Sequence, residues 1–121
     1  MKKYLRLILI SFLFGACKNK TLPIPAGILL PDTLSEIQAE FYLIEAANNM
    51  ALIKQDTNQA SYDDFYALIL QKHRTRKSQI DSSLQFYAGH PEVLDSIFSK
   101  TMLILDKKEI EQRKKKEKIH E

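Results

Sequence analysis

Cys17 is the only cysteine among 121 residues, and a thiol is the most nucleophilic side chain available to the chain once it ionises. A cysteine can form a disulfide, bind a metal or accept an acyl group. A single copy removes an intrachain disulfide and any zinc cluster built on cysteines. The other groups that could do chemistry are scattered. His73, His90 and His120 lie far apart in the sequence, and no His-x-x-x-His or carboxylate cluster accompanies them. Ser82-Ser83 lacks the Gly-x-Ser-x-Gly elbow, and the three glycines form neither a Walker nor a dinucleotide-binding pattern. His73 reads as a helix-terminal residue. Glu45, at the edge of an apolar helical stripe, reads as a polar contact to another helix, because no second carboxylate or histidine is spaced to complete an acid–base pair. The expectation is a chain that is not an enzyme, with no cofactor and no metal.

What precedes Cys17 bears on its role. Lys2, Lys3 and Arg6 form a positive region, Leu7 to Phe14 is an apolar run broken only by Ser11, and Gly15-Ala16 places small residues before the cysteine. This is the pattern of a secretory signal. The apolar run, about eight residues, is far short of the ~20 that span a bilayer. The segment resembles a bacterial lipoprotein signal, with Phe14 where leucine is commonest. The resemblance implies that residues 1–16 are removed and that Cys17 is acylated, anchoring the protein in a membrane. Lipoproteins displayed on the cell surface in Bacteroidota carry an acidic cluster soon after the cysteine. Lys18-Asn19-Lys20-Thr21 has none, so the expected location is the outer membrane, facing the periplasm.

Charge narrows the partners. Beyond Cys17 the chain holds equal numbers of acidic and basic side chains, since its formal +3 is carried by Lys2, Lys3 and Arg6. The balance hides an asymmetry. Thr21 to Gln71 carries seven acids against Lys54 alone, whereas Lys72 to Glu121 carries twelve basic and eight acidic residues. Such polarity suits complementarity within the fold or towards a partner protein and argues against nucleic-acid binding.

The elements that must position these residues are helices. Pro23, Pro25, Gly27 and Pro31 make residues 17–31 a tether, although Ile24 and Ile28-Leu29-Leu30 are apolar enough to pack on the helical domain. Thr33-x-x-Glu36 matches a capping box, and Leu34, Ile37, Phe41 and Ile44 recur at helical spacing. Ser61-x-x-Asp64 caps a second helix bearing Tyr62, Phe65, Tyr66, Ile69 and His73. Arg74-Thr75-Arg76-Lys77 is a basic turn. A third helix, near Lys77 to Ala88, presents Ile80, Leu84 and Tyr87, with Ser82-Ser83 as small spacers. Gly89-His90-Pro91 is a tight connection, Gly89 suiting the position after a helix and Pro91 its first turn. The last helix carries Leu94, Ile97, Phe98, Thr101, Met102 and Leu105. Asp106 to Glu121 then has twelve charged residues among sixteen and almost no apolar face. The predicted fold is all-α: a small bundle of about four helices over 32–105, an extended N-terminal tether, and a charged helical C-terminal tail over 106–121.

Ile80-Asp81-Ser82-Ser83-Leu84-Gln85-Phe86-Tyr87, His90-Pro91-Glu92, Leu94 and Ile97, together with Leu34 to Ala47 and Phe65-Tyr66, resemble the signature of the DUF4296 family, a domain of unknown function in small Bacteroidota lipoproteins. The resemblance spans about Pro31 to Leu105. Ile80 stands where the family often has an aromatic, and Arg74-Thr75-Arg76 where it often has Gly-Ile-Thr. It implies a helical, exported and anchored domain and brings no activity. The expected role is a non-catalytic accessory or scaffold subunit of a larger envelope complex of the barrel-assembly, secretion or transport kind. A small-ligand-binding lipoprotein is the alternative. Candidate contact residues are Glu45, Tyr66 and Tyr87, alongside Tyr42, Tyr62 and Phe86, and the basic tail residues Arg113, Lys114, Lys115 and Lys116. The expected partners are the membrane, through acyl chains on Cys17, and an envelope protein.

Overall fold

The computed structural model describes residues 22–50 and 60–119. The signal segment, Cys17, Ala51 and His120 lie outside them. Among the described residues four helices come after a strap over 22–30: α1 (Pro31–Asn49), α2 (Tyr62–Lys72), α3 (Lys77–Ala88) and α4 (Pro91–Ile119). Among the described residues there is no strand, and no helix is long and apolar enough to cross a membrane.

The helix ends differ from expectation in instructive ways. α1 starts at Pro31, with Leu30 as an extended N-cap that makes no side-chain capping bond. The Thr33/Glu36 capping box is therefore not formed. Proline fixes φ for a first helical turn and has no N–H to satisfy, so it sets the boundary two residues before Thr33. In α2 the box does form: Ser61 Oγ accepts from the Asp64 amide while Asp64 accepts from the Ser61 amide at 2.8 Å. The Ser61 amide and the Ser61 hydroxyl, both donating to the Asp64 carboxylate, hold its pKa below the ordinary value.

α2 ends in a Schellman arrangement. The Thr75 amide donates to the Leu70 carbonyl and the Arg74 amide to the Gln71 carbonyl, with Arg74 at φ 49. The left-handed position normally taken by glycine is thus held by arginine, at the position where the family resemblance places a glycine. α3 to α4 is closed more simply. Gly89 has φ −76, so the connection uses none of glycine's left-handed freedom; Gly89 and His90 instead donate three residues back, to Phe86 and Tyr87.

Leu34, Ile37, Ile69, Ile80, Tyr87 and Ile97 form the core, with Phe41, Ile44, Leu84 and Leu94 packed partly buried against it. Phe65, on the apolar face of α2 by spacing, is only half-buried. α1 is the hub, packing most extensively on α4 and then on α2, while α3 packs on α4. Small polar residues make the α1–α4 crossing close. Ser35 and Ala39, one turn apart, and Thr101 opposite are essentially fully buried. Ser35 Oγ lies 2.8 Å from the Pro31 carbonyl and 3.1 Å from that of Ile97. Thr101 Oγ1 lies 2.9 Å from the Ile97 carbonyl and 3.3 Å from that of Ser35. Each hydroxyl therefore serves both sides of the crossing, and no buried side-chain polar atom among the described residues lacks a hydrogen-bond partner.

Beyond Lys108 every residue of α4 through Ile119 is exposed. The helix continues nonetheless, because Glu, Lys, Arg and Gln are good helix formers. Glu109 pairs with Arg113 one turn on, and Lys116 and Lys118 in the last turn suit the helix dipole. At 1.5 Å per residue α4 is about 43 Å long, and the exposed end is about 16 Å of it.

Candidate functional site

Three places concentrate polar chemistry, and the first lies between the strap and α3. Pro25 accepts a hydrogen bond from the Ile28 amide at 3.2 Å across a turn with Gly27 at φ 87. The positive φ is what a type II turn requires at its third residue, and glycine supplies it without strain. The turn delivers Leu29 to α3. Its amide donates to Ser83 Oγ at 2.9 Å, and its carbonyl accepts from the Tyr87 hydroxyl at 2.8 Å. Ser83, which also donates to the Gln79 carbonyl, is fully buried, as is Tyr87. Burial pushes the Tyr87 hydroxyl above its ordinary pKa, so it stays a donor throughout the physiological range. Leu22, Ile28 and Leu29 complete the contact by packing on the core.

This arrangement reassigns two residues. Ser83, read as a spacer, is a hydrogen-bonding post for the strap, and Tyr87, a candidate contact residue, has no surface left for a partner. No local sequence signal pointed there, because both partners meet Leu29 more than fifty residues away in the chain. Phe86 packs edge-on against Tyr87 and beside His90, with ring centroids 5.2 and 4.9 Å apart.

The second place joins α1 to the end of α2. Glu40 accepts from Lys72 and lies 3.2 Å from His73 Nε2, with the Glu40 and His73 side chains largely buried. Glu45, the carboxylate singled out by sequence, is exposed instead. Glu40 was missed because the signal for it is a cationic pair at a helix end more than thirty residues away. Burial opposes ionisation of Glu40, but the bonds and charges of Lys72 and His73 outweigh it, leaving its pKa below the ordinary 4.5. A carboxylate with a lowered folded-state pKa stabilises the fold above its unfolded pKa, and that contribution is lost as pH falls through the folded value. Unfolding free energy is therefore expected to decline as pH falls below about 4.5, with a smaller decline in Glu40→Gln. Urea melts at stepped pH check this; identical pH profiles for the two proteins would count against it.

Beside this cluster Tyr66 stacks on Phe41, with ring centroids 4.6 Å apart and planes 9° from parallel. The third place is the exposed end of α4, where Arg113 is paired with Glu109 and Lys114, Lys115 and Lys116 are in solvent. The predicted residues thus fall on four different helices: Glu45 on α1, Tyr66 on α2, Tyr87 on α3 and the basic group on α4. Among the described residues no three His, Cys, Asp or Glu side chains stand close enough together to hold a metal ion. Two open grooves border α4, one lined by Glu36, Lys100, Ile104, Lys107, Lys108 and Glu111, the other by Asp106, Glu109, Ile110 and Arg113.

The sequence profile of the family described as Domain of unknown function (DUF4296) matches residues 25–111. The chain belongs to the DUF4296 family. The match takes in most of the strap as well as the four helices, so in DUF4296 terms Leu29, Ser83 and Tyr87 lie inside the domain and the end of α4 lies beyond it. No curated protein matches the chain. No solved structure matches it either.

Proposed function

We propose that this DUF4296 chain is a lipid-anchored accessory subunit of a larger cell-envelope complex, without catalytic activity of its own. It is acylated on Cys17, held in the outer membrane and turned towards the periplasm. The observation that carries this reading is the surplus of α4: a continuous helix whose last eleven described residues touch none of the core. A helix maintained past its own fold is a surface for another protein. The wall of exposed Met102, Leu103 and Ile110 beside charged residues gives such a partner both an apolar and an ionic grip. The side chains with the most chemistry are engaged in structure, Ser83 and Tyr87 on the strap and Glu40 with Lys72 and His73.

Cys17→Ser tests the anchor. One buried acyl chain gives marginal membrane binding at ~0.8 kcal/mol per methylene, and a second makes it stable. The variant is expected to lose the acyl mass seen on the wild-type protein and to shift from the outer-membrane fraction to the soluble fraction or to an uncleaved precursor. Fractionation of the variant with the outer membrane at the wild-type level would refute the anchor.

A further inference from the structure

The strap determines how far the domain can stand from its anchor. The first described residue, Leu22, already packs on the core, and Cys17 precedes it by five residues. Whatever its conformation, a chain of that length spans at most about 18 Å, at up to ~3.6 Å per residue. Were the strap released, the fold would begin at Pro31 and the same bound would be about 50 Å. The difference rests on a few contacts: the Gly27 turn, the hydrogen bonds that Leu29 donates to Ser83 and accepts from Tyr87, and the apolar side chains of Leu22, Ile28 and Leu29. The buried Tyr87 hydroxyl would lose its acceptor if the strap left, which opposes release.

We propose, building on the lipid-anchor reading, that docking of the strap on α3 holds the helical domain at the bilayer surface, so that its partner is a protein embedded in or attached to that same membrane. The clamp reads backbone atoms of Leu29, so it fixes the position of the strap along α3 as well as its burial. A domain kept this close meets integral proteins at the headgroup level, where the exposed end of α4 is long enough to extend over them.

The test uses full-length protein, its Cys17 acylation verified by mass, in vesicles of phosphatidylethanolamine and phosphatidylglycerol. A donor dye sits on Gln85→Cys, exposed on α3, and an acceptor dye on the lipid headgroups. Wild type is expected to show high energy transfer. A Gly-Ser insertion of about ten residues between Lys20 and Thr21 should lower it, because the undocked tether is the limiting length. The combined variant Gly27→Ala, Ser83→Ala, Tyr87→Phe should lower it towards the insertion variant, since release frees a similar length. Leu29 amide exchange should be about tenfold faster in Ser83→Ala, the effect of losing one hydrogen bond near 1.4 kcal/mol. Unchanged transfer in the insertion variant overturns the proposal, and loss of wild-type adhesion at high salt would then assign contact to the lysines of α4 binding lipid directly. Wild-type transfer in a combined variant that retains its helical circular dichroism also overturns it. Absence of the acyl mass refutes the anchor itself, a result distinct from these.

Discussion

Ile97→Ala and Leu34→Ala are each expected to lower the unfolding free energy by about 2–5 kcal/mol. Both side chains are completely buried, so truncation removes apolar surface from the core and leaves a cavity that neighbouring helices can only partly fill. A small single domain has little reserve, its whole stability being on the order of 5–15 kcal/mol. Ile97 carries an added consequence. Two hydroxyl contacts bridge the α1–α4 crossing beside it, Ser35 to the Ile97 carbonyl and Thr101 to the Ser35 carbonyl, so a shift of α4 into the cavity would loosen both as well. Phe41→Ala, although its residue lies on the same α1 stripe, should cost less than either. Phe41 is half-buried and owes part of its stabilisation to stacking on Tyr66, an arrangement worth about 0.5–1.5 kcal/mol beyond area burial. Urea melts of the three variants decide the order; a Phe41 variant weaker than both core variants would place the centre of the core nearer α2.

Apolar residues at three- and four-residue spacing were legible because helix geometry forces them onto one face, and so the four helices and the Leu34, Ile37, Ile44, Ile69 and Ile97 positions emerge from pattern alone. The Ser61/Asp64 box and the Pro91 start were legible because they are local chemistry within four residues. What pattern could not show is where polar residues are buried. Ser35, Ser83 and Thr101 look like surface residues by type; each donates to the carbonyl four residues back in its own helix, and the helix crossing or the strap opposite supplies the second partner. Thr33/Glu36 failed for a related reason: two valid start signals competed, and Pro31 with its fixed φ took precedence over a side-chain cap. Tyr87 illustrates the limit for the candidate site. Its ring belongs to the core by periodicity, but the role of its hydroxyl is set by Leu29, 58 residues earlier in the chain.

The core and the candidate site separate most sharply in the last expectation: deleting Glu109 to Glu121 should leave the melting temperature nearly unchanged and reduce co-purification of the partner. From Glu109 through Ile119 each residue is exposed, and the ion pair of this segment, Glu109 with Arg113, lies wholly within it. An exposed pair one helical turn apart is worth only about 0.3–0.5 kcal/mol, so the fold loses almost nothing. A partner gripping the same segment would lose Ile110, together with Arg113, Lys114, Lys115, Lys116 and Lys118. Met102 and Leu103 stay in place, so removing this group, Arg113 above all, is expected to weaken binding. Gentle-detergent affinity purification of the tagged, lipidated protein with and without residues 109–121, coupled to mass spectrometry, reads the partner, and a thermal melt of the same two proteins reads the fold. A lowered melting temperature would assign the segment to the fold. An unchanged set of co-purifying proteins would move the docking surface off this segment, to exposed apolar residues that the deletion leaves in place, such as Met102 and Leu103 of α4.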